Sequence, residues 1–418
     1  MASWLRTRRV LTATACVIFL ASHLHAQRRD NSAQNTEQAC RNLVNHPALT
    51  ILSAQIRETV AAPGSTSGKP GPRYCYVRGL ISPAIHYHVQ LPLPENWNSR
   101  FLMLGDGGTD GDLDFADYRV VQGYAVANSN TGHDAASEPG TVFAYNNQQA
   151  EIDFGYRAVH TTISAARALV KAFYGRDSHY NYFEGCSQGG RQALMEAQRY
   201  PADFDGIVAG APAIYYQASG VSRLAALKLV YSDNFAGNLA FDANGDGKPE
   251  SLTKLKLLEQ AVLNKCDALD GITDGVIDYP LSCQFDPATD LASNMCPADA
   301  NADSCFTVRQ LETIKSIYAG VSDSQGTLIF KGRAPGSEYG WSRHLVPFTG
   351  NNMQPSALPL TADRPNYLFY EQDPGVTPPD LTDLSYVLNK TKNPPEYAWW
   401  EFNPDDWTAG KGAKASSV

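Results

Sequence analysis

The stretch that decides the fold is residues 180–212, YNYFEGCSQGGRQALMEAQRYPADFDGIVAGAP. An aromatic run enters a glycine-rich turn, a helical pattern follows as far as Pro201, and a second short apolar run comes next. Gly-x-Ser-x-Gly between a strand and a helix is the nucleophile elbow, in which a strained turn presents a serine hydroxyl. We therefore predict that Ser187 is a nucleophile and that the motif is more than a flexible turn.

On either side of this stretch, residues 40–213 alternate between strand-like and helix-like patterns. That alternation predicts an α/β fold whose mostly parallel sheet is covered by helices. From residue 214 the chain is richer in Pro, Asn and Asp, and it shows one helical pattern at residues 251–266. We therefore expect a core at residues 27–213, a second unit at residues 214–395, and a return segment and tail at residues 396–418.

A second glycine-rich loop, LGDGGTDG at residues 104–111, follows a predicted strand. Such a loop can place a backbone N–H beside the oxyanion that forms when a serine attacks an ester carbonyl. We predict that Gly107 or Gly108 donates this bond together with the N–H of Gln188. A phosphate-binding loop is excluded, because no Gly-Lys-Ser/Thr follows.

The first 26 residues have the layout of a secretory signal peptide. Three arginines precede an apolar run at residues 10–21, which is too short to cross a bilayer, and Ala26 ends the segment before Gln27. We expect an exported protein, extracellular or periplasmic, without a membrane segment. The net charge of −9 argues against a nucleic-acid partner.

Cysteine usage agrees with export, because an oxidising compartment allows disulfides. The chain has eight cysteines, and Cys16 lies in the predicted signal peptide. Seven cysteines remain after the signal peptide is removed. Because seven is odd, at least one thiol has no partner within the mature chain.

The run GCSQGGRQALMEAQRYPADFDGIVAGAP closely resembles the tannase and feruloyl esterase family. A cysteine directly before the serine is unusual among serine hydrolases and is specific to this group. The resemblance extends from about Cys40 to Trp407. It implies an α/β-hydrolase core, a large lid inserted after the nucleophile helix and the next strand, and hydrolysis of small esters of aromatic acids such as feruloyl or galloyl esters.

The run CDALDGITDGVIDYPLSCQFDP, residues 266–287, is similar to the lid calcium loop of that family. The resemblance implies Ca²⁺ ligands from the carboxylates of Asp267, Asp270 and Asp274 and from the carbonyls of Ile272 and Val276. Ca²⁺ prefers six to eight oxygen ligands, and three unpaired carboxylates so close in sequence repel one another. A solvated acidic loop is the alternative. A similar run, DANGDGKPE at residues 242–250, lacks the closing glutamate of a calcium loop and is interpreted as a turn.

The resemblance also implies three disulfides, Cys40–Cys75, Cys266–Cys283 and Cys296–Cys305. Cysteine spacing alone allows many other pairings. In the family, Cys186 pairs with a cysteine directly after the catalytic histidine, but this chain contains no His-Cys dipeptide. We therefore expect Cys186 to be unpaired.

The missing dipeptide and the odd cysteine suggest that the C-terminal part of the hydrolase core is absent, through a real truncation or an artefact of gene prediction. The catalytic acid and base are then not found in this chain. His344 and His133 could contact the substrate, whereas His160 and His179 are expected to be structural. The alternative function is an impaired or inactive relative that only binds aromatic esters or acids. The acyl group, the alcohol and the oligomeric state are left open.

Overall fold

The computed structural model describes residues 34–59, 71–369 and 403–408, and these residues form two units. The first unit contains the described residues up to His133 and Tyr156–Pro212. The second contains Asp134–Gly155 and the described residues from Ala213 onward. The predicted signal peptide and most of the predicted return segment and tail lie outside the described residues.

The strands of the described chain form one seven-stranded sheet and one two-stranded sheet. In chain order they are β1 (Thr50–Glu58), β2 (Arg73–Ile81), β3 (Ile85–Pro92), β4 (Arg100–Leu104), β5 (Ala125–Ser129), β6 (Tyr180–Cys186), β7 (Gly206–Gly210), β8 (Gly320–Ser322) and β9 (Leu328–Lys331).

The α-helices of the described chain range from four to twenty residues in length. In chain order they are α1 (residues 34–42), α2 (Asp117–Val121), α3 (Gln148–Ile152), α4 (Ala158–Tyr174), α5 (Gln188–Arg199), α6 (Tyr216–Phe235), α7 (Thr253–Cys266), α8 (Pro287–Asp290), α9 (Val308–Ala319), α10 (Trp341–His344), α11 (Ala357–Thr361) and α12 (Pro404–Thr408). No helix within the described ranges is both long enough and apolar enough to cross a membrane.

The large sheet belongs to the first unit and has the order β1-β2-β3-β5-β4-β6-β7. Strands β1, β2, β3 and β5 pair antiparallel, whereas β5, β4, β6 and β7 pair parallel. The helix α4 covers one face through buried Ile163, Ala166 and Leu169, and it ends at Gly175 in the left-handed conformation (φ 72°). The predicted α/β fold class is confirmed, but the expectation of a mostly parallel sheet is wrong, because three of the six strand pairings are antiparallel.

The second unit contains more helix than its sequence pattern predicts. The predicted helical run is α7, but the 20-residue α6 has no one-sided apolar stripe that would mark it. Its residues Val221, Leu224, Leu227 and Val230 are all at most 5 % exposed and belong to one large core cluster. A helix that is buried on most sides does not show the amphipathic period, so the sequence pattern does not reveal it.

Residues 134–155 also differ from the expected organisation, because they pack with the second unit, whereas the predicted core runs unbroken to residue 213. Phe143 and Phe154 share a buried cluster with Tyr216. Asp363 accepts a hydrogen bond from the Thr141 N–H at 2.7 Å. These contacts join residues far apart in sequence, so local sequence patterns do not predict them.

Three disulfides join cysteines of the described residues, and they are the pairs that the family resemblance implied, Cys40–Cys75, Cys266–Cys283 and Cys296–Cys305. The first joins α1 to β2 with both cysteines fully buried. The other two close loops of the second unit, across separations of 17 and 9 residues. Cys186 is a free and exposed thiol.

Candidate active site

Ser187 lies between β6 and α5 in a backbone conformation, φ 62° and ψ −113°, that residues other than glycine rarely adopt. Its N–H donates to the Gly210 carbonyl at 2.9 Å, and its own carbonyl accepts from the Arg191 N–H at 3.1 Å. The side chain does not cap the helix, although serine commonly does so at this position. The main chain therefore fixes the serine, and its exposed side chain is left for other partners.

Neighbouring backbone segments approach the motif so closely that its glycines cannot be replaced by residues with a side chain. A Cβ at Gly189 would lie 2.7 Å from the carbonyl carbon of Gly105, and a Cβ at Gly190 would lie 2.4 Å from the Gly210 oxygen. A Cβ at Gly185 would lie 2.5 Å from the Gly189 oxygen. These distances are shorter than any ordinary contact, so the turn, β7 and the loop after β4 interlock only without side chains.

The position of the turn in the sheet is typical of a ligand site. From β4 the chain moves to β5 on one side and later to β6 on the other, so the connections diverge between β4 and β6. In open α/β sheets, ligands bind at the carboxyl ends of strands where the order reverses in this way. Ser187 follows β6 and the loop at residues 104–111 follows β4, so both lie at this switch point.

The predicted oxyanion donors differ in their availability. Gln188 is the first residue of α5, so its N–H lies at the positive end of the helix dipole. The residue as a whole is only 1 % exposed. The Gly107 N–H already donates to Asp106 Oδ1 at 2.7 Å. The Gly108 N–H has no hydrogen bond among the described residues, and its φ of 65° is one that glycine tolerates. Gly108 is therefore the better placed of the two candidates.

An acidic cluster beside the turn was not predicted. Asp110 is 6 % exposed and accepts from Gln192 Nε2 of α5 at 2.6 Å, which ties the glycine loop to the helix that follows Ser187. Burial raises the pKa of Asp110 well above its usual range, and the charge of Asp106 adds to the effect. Burial likewise raises the pKa of Asp106 to about 6, and Asp114 contributes. The run DGGTDGDLD carries four aspartates in nine residues, which is the signal in the sequence that could have revealed the cluster.

A cavity of about 410 Å³ opens beside the turn within the first unit. Its wall includes Cys186, Phe115, Tyr118 and Glu184, and Ser187 is not part of its lining. Glu184 receives two bonds from Arg119, with Nη2–Oε2 at 2.5 Å and Nε–Oε1 at 3.1 Å. The rings of Phe115 and Tyr118 remain about half exposed, at 48 % and 49 %, so the cavity offers an aromatic rim next to a neutralised carboxylate.

The histidines considered as substrate contacts have hydrogen-bond partners other than Ser187. His344 lies in α10 of the second unit, where Nδ1 is 2.8 Å from Ser356 Oγ. Burial lowers the pKa of His344, and Arg333 adds to this. His133 is buried in the first unit at 3 % exposure, and its carbonyl accepts from Asn130 Nδ2 at 2.5 Å. Within the described ranges, no histidine is hydrogen-bonded to Ser187.

The predicted calcium loop follows α7 and is closed by the Cys266–Cys283 disulfide. The carboxylate of Asp267 accepts from the Gly275 N–H at 3.1 Å, Asp270 accepts from the Ile272 N–H at 2.9 Å, and Asp274 accepts from the Val276 N–H at 3.0 Å. Gly271 and Gly275 have φ of 95° and 83°, which makes the tight turns possible.

The three carboxylates of this loop can be tested as Ca²⁺ ligands by their ion pairs and by the distances between them. None of the ion pairs between described residues involves Asp267, Asp270 or Asp274, so no lysine or arginine in that part of the chain neutralises them. In the described chain, the three carboxylates do not converge to within 4.8 Å of one another, so side-chain rotation would be needed to bring them onto one ion. The all-oxygen donor set fits Ca²⁺.

The structure describes only part of the two aromatic-rich segments of the second unit, residues 367–372 and 396–402. Tyr367, Leu368 and Phe369 are 4–6 % exposed and belong to the core of that unit. The aromatic run at residues 396–402 lies outside the described residues.

Residues 73–359, more than half of the chain, match the family model "Tannase and feruloyl esterase". A mono(2-hydroxyethyl) terephthalate hydrolase of Piscinibacter sakaiensis is 35 % identical over 65 % of this chain and 49 % of its own length. An uncharacterized esterase of Xanthomonas campestris is 36 % identical over 71 % of this chain and 50 % of its own length. This chain thus spans about half the length of these curated relatives.

A probable feruloyl esterase B-1 of Aspergillus flavus is 31 % identical over 79 % of this chain and 59 % of its own length. Among solved structures, feruloyl esterase B from Aspergillus oryzae superposes with a TM-score of 0.66 over 91 % of this chain and 69 % of that one. At 23 % identity, that likeness supports the fold alone.

Proposed function

Because the chain belongs to the tannase and feruloyl esterase family, we propose that it is a carboxylic ester hydrolase that uses Ser187 as its nucleophile. The observation that carries this proposal is the strained backbone of Ser187 at the head of α5, with an exposed side chain that does not cap the helix. The two glycine-rich segments that meet at Gly105 and Gly189 support it. So does their place at the switch point of the sheet.

In this proposal, Ser187 Oγ attacks the ester carbonyl and forms a tetrahedral intermediate. The N–H groups of Gln188 and Gly108 stabilise its oxyanion, and the positive end of the α5 dipole adds to that stabilisation. Collapse of the intermediate releases the alcohol and leaves the acyl group on Ser187, and water then releases the acid. A serine needs a base to become a strong nucleophile, and loss of that base lowers the rate by several orders of magnitude.

We propose esters of aromatic acids, such as feruloyl or galloyl esters, as substrates. The half-exposed rings of Phe115 and Tyr118 line a cavity next to the turn, and an aromatic acyl group could stack on them. The names of the relatives point to the same chemical class. We also propose that the protein is exported, which the three disulfides support, because disulfides persist in oxidising compartments.

We further propose Ca²⁺ as a structural ion of the second unit, held by the carboxylates of Asp267, Asp270 and Asp274 and the carbonyls of Ile272 and Val276. The ion would neutralise three carboxylates that have no cationic partner in the described chain. Its role would be to hold the loop together, since this loop and Ser187 belong to different units.

The second candidate function is binding of aromatic esters or acids without turnover. One observation favours it, namely that no described histidine is hydrogen-bonded to Ser187. Hydrolysis of a p-nitrophenyl ester and of methyl ferulate by the purified chain, compared with Ser187→Ala, separates the two functions. We expect Ser187→Ala to abolish hydrolysis above the buffer rate. Equal rates for both proteins, with methyl ferulate still bound in equilibrium dialysis, would support the binding function instead.

A further inference from the structure

A second cluster of ionisable side chains lies in the first unit, away from the turn at Ser187. His160 is in the first turn of α4, Glu196 is in the last turn of α5, and Asp203 is in the loop before β7. One donor atom from each of the three lies within 4.8 Å of the other two. From the sequence, His160 is expected to be structural, and Glu196 and Asp203 belong to no recognised ligand motif.

The burial of the cluster is uneven in a way that suits a ligand. Glu196 is 1 % exposed and Asp203 is 8 % exposed, whereas the His160 side chain is 38 % exposed. Two carboxylates therefore lie inside, and the imidazole forms an opening to solvent. Tyr200 stacks on the imidazole with ring centroids 3.8 Å apart and planes 9° apart, which holds the ring in place.

One buried oxygen of the cluster is unsatisfied. Glu196 Oε2 is inaccessible to solvent and has no hydrogen-bond partner among the described residues. A buried carboxylate oxygen without a partner is costly, so it calls for a proton, a water or a cation. The ring nitrogen of the cluster, His160 Nδ1, is bonded to Asp203 Oδ2 at 2.6 Å and is not the partner of Glu196.

From this geometry we propose that His160, Glu196 and Asp203 bind one divalent transition-metal ion, with Zn²⁺ as the best match. Zinc takes imidazole nitrogen and carboxylate oxygen at about 2.0–2.2 Å, which places neighbouring ligand atoms about 3.4 Å apart in a tetrahedron. The observed donor separations, from 2.6 Å to at most 4.8 Å, lie on both sides of that value. Small side-chain rotations therefore suffice, and water entering past His160 completes the coordination.

The nitrogen ligand separates this site from the loop at Asp267. Ca²⁺ and Mg²⁺ prefer all-oxygen sites, whereas an imidazole with two carboxylates favours zinc and its neighbours in the periodic table. The ion would replace the His160–Asp203 hydrogen bond and join α4, the end of α5 and the loop before β7. Because α5 begins next to Ser187, such a clamp would fix the far end of the helix that carries the turn.

The test uses the full chain, without a histidine tag, as the Cys186→Ser variant so that the free thiol does not bind metal. Ca²⁺ is kept in excess to occupy the loop at Asp267. After removal of trace metals, ZnCl₂ is titrated by calorimetry and the melting temperature is followed with and without zinc. We expect one zinc per chain and a rise in the melting temperature.

Three variants in the same background assign the site. Glu196→Gln keeps the size of the side chain and removes its charge, and His160→Ala removes the nitrogen. Both should weaken zinc binding by at least about tenfold. His179→Ala is the matched control, because His179 is an exposed histidine of the same unit, and it should bind zinc like the parent.

A competing occupant is a proton shared with Asp203, because burial, the charge of Asp203 and a hydrogen bond between the two carboxyl groups raise the pKa of Glu196 to about 8. The proposal is overturned if the parent shows no zinc-dependent change, or if Glu196→Gln and His160→Ala bind zinc as tightly as the parent. Should a variant not fold, the visible spectrum of the Co²⁺-loaded parent decides. An intense d–d band supports a tetrahedral site with few ligands, and a weak octahedral band contradicts it.

Discussion

At the scale of single residues, the conformation of Ser187 depends on glycines that are not interchangeable with any other residue. The Cβ atoms that Gly189 and Gly190 lack would collide with main-chain atoms and not with movable side chains. Backbone neighbours cannot rotate away, so the collision is relieved only by shifting a strand or a helix. The glycines of the motif therefore specify contact between main chains, in addition to framing the serine proposed as the nucleophile.

The first prediction concerns Gly190→Ala. The new methyl group would lie 2.4 Å from the Gly210 oxygen and 2.8 Å from the Pro212 Cα, so we expect the free energy of unfolding to fall by about 2 kcal/mol or more. Urea denaturation measures this.

The control for Gly190→Ala is Gly340→Ala. Gly340 has helical backbone angles, and no atom lies within 4 Å of the position that a Cβ would take there. Its replacement should change the free energy of unfolding by less than about 1 kcal/mol. Similar losses for both variants would contradict the interlock.

The second prediction concerns Asp106→Asn. Burial raises the pKa of Asp106 to about 6, so between about pH 4 and pH 6 the folded state binds more protons than the unfolded state. The free energy of unfolding of the wild-type chain then falls as the pH rises through this window. Asparagine keeps the acceptor for the Gly107 N–H but has no charge. The variant should therefore gain stability relative to wild type at about pH 7.5 and much less at about pH 4.5.

Urea denaturation at the two pH values measures this difference. Asp177→Asn, which changes an exposed carboxylate paired with Lys171, serves as the control. The same stability difference between wild type and Asp106→Asn at both pH values would show that the charge of Asp106 does not destabilise the fold.

At the scale of elements, the loop that follows α7 gives the third prediction. If Ca²⁺ holds it, EGTA should lower the melting temperature of the wild-type chain by several degrees, at about 2–4 °C for each kcal/mol of binding energy lost. Asp270→Asn should remove most of this response, because it takes away one of three carboxylate ligands. Differential scanning calorimetry with and without EGTA measures it.

The control is Asp242→Asn in the other acidic loop, where the Asp242 carboxylate accepts the N–H groups of Gly245 and Gly247 at 2.7 Å. That loop is interpreted as a turn, so the variant should respond to EGTA like the wild type. A wild-type chain that is indifferent to EGTA would contradict the calcium proposal.

The elements also indicate how far sequence reasoning reaches. The strand, turn and helix around Ser187 were predictable, because glycine spacing and the change of period are local signals. Helix α6 was not predictable, because a helix buried on most sides shows no one-sided apolar stripe in its sequence. The pairing of Cys40 with Cys75 came from the family resemblance, since spacing alone fits many pairings.

Features assembled from distant segments were beyond local reasoning altogether. Gln192 meets Asp110 across 82 residues, and His160 meets Asp203 across 43. Neither pair leaves a trace in a sequence window. The grouping of residues 134–155 with the second unit depends on the same kind of long-range contact.

At the scale of the whole molecule, the exposed thiol of Cys186 gives the fourth prediction. The other described cysteines are paired in three disulfides. In an oxidising environment, the Cys186 thiol can therefore form a disulfide only with another molecule or by exchange. We expect a disulfide-linked dimer to form on air oxidation, visible on a non-reducing gel and lost with reductant. Cys186→Ser should stay monomeric on that gel. A linked dimer in the variant would point to exchange at one of the three structural disulfides.

The interlock of Gly105, Gly189, Gly190 and Gly210 has a practical consequence for anyone who wishes to alter substrate preference. The main chain at Ser187, the proposed nucleophile, is held by backbone atoms, so its placement does not depend on the identity of the side chains around the neighbouring cavity. A mutant library could randomise Phe115 and Tyr118 freely while leaving those four codons untouched. If Ser187 is the nucleophile, the members of this library would differ in the substrates they bind and would share the same serine turn.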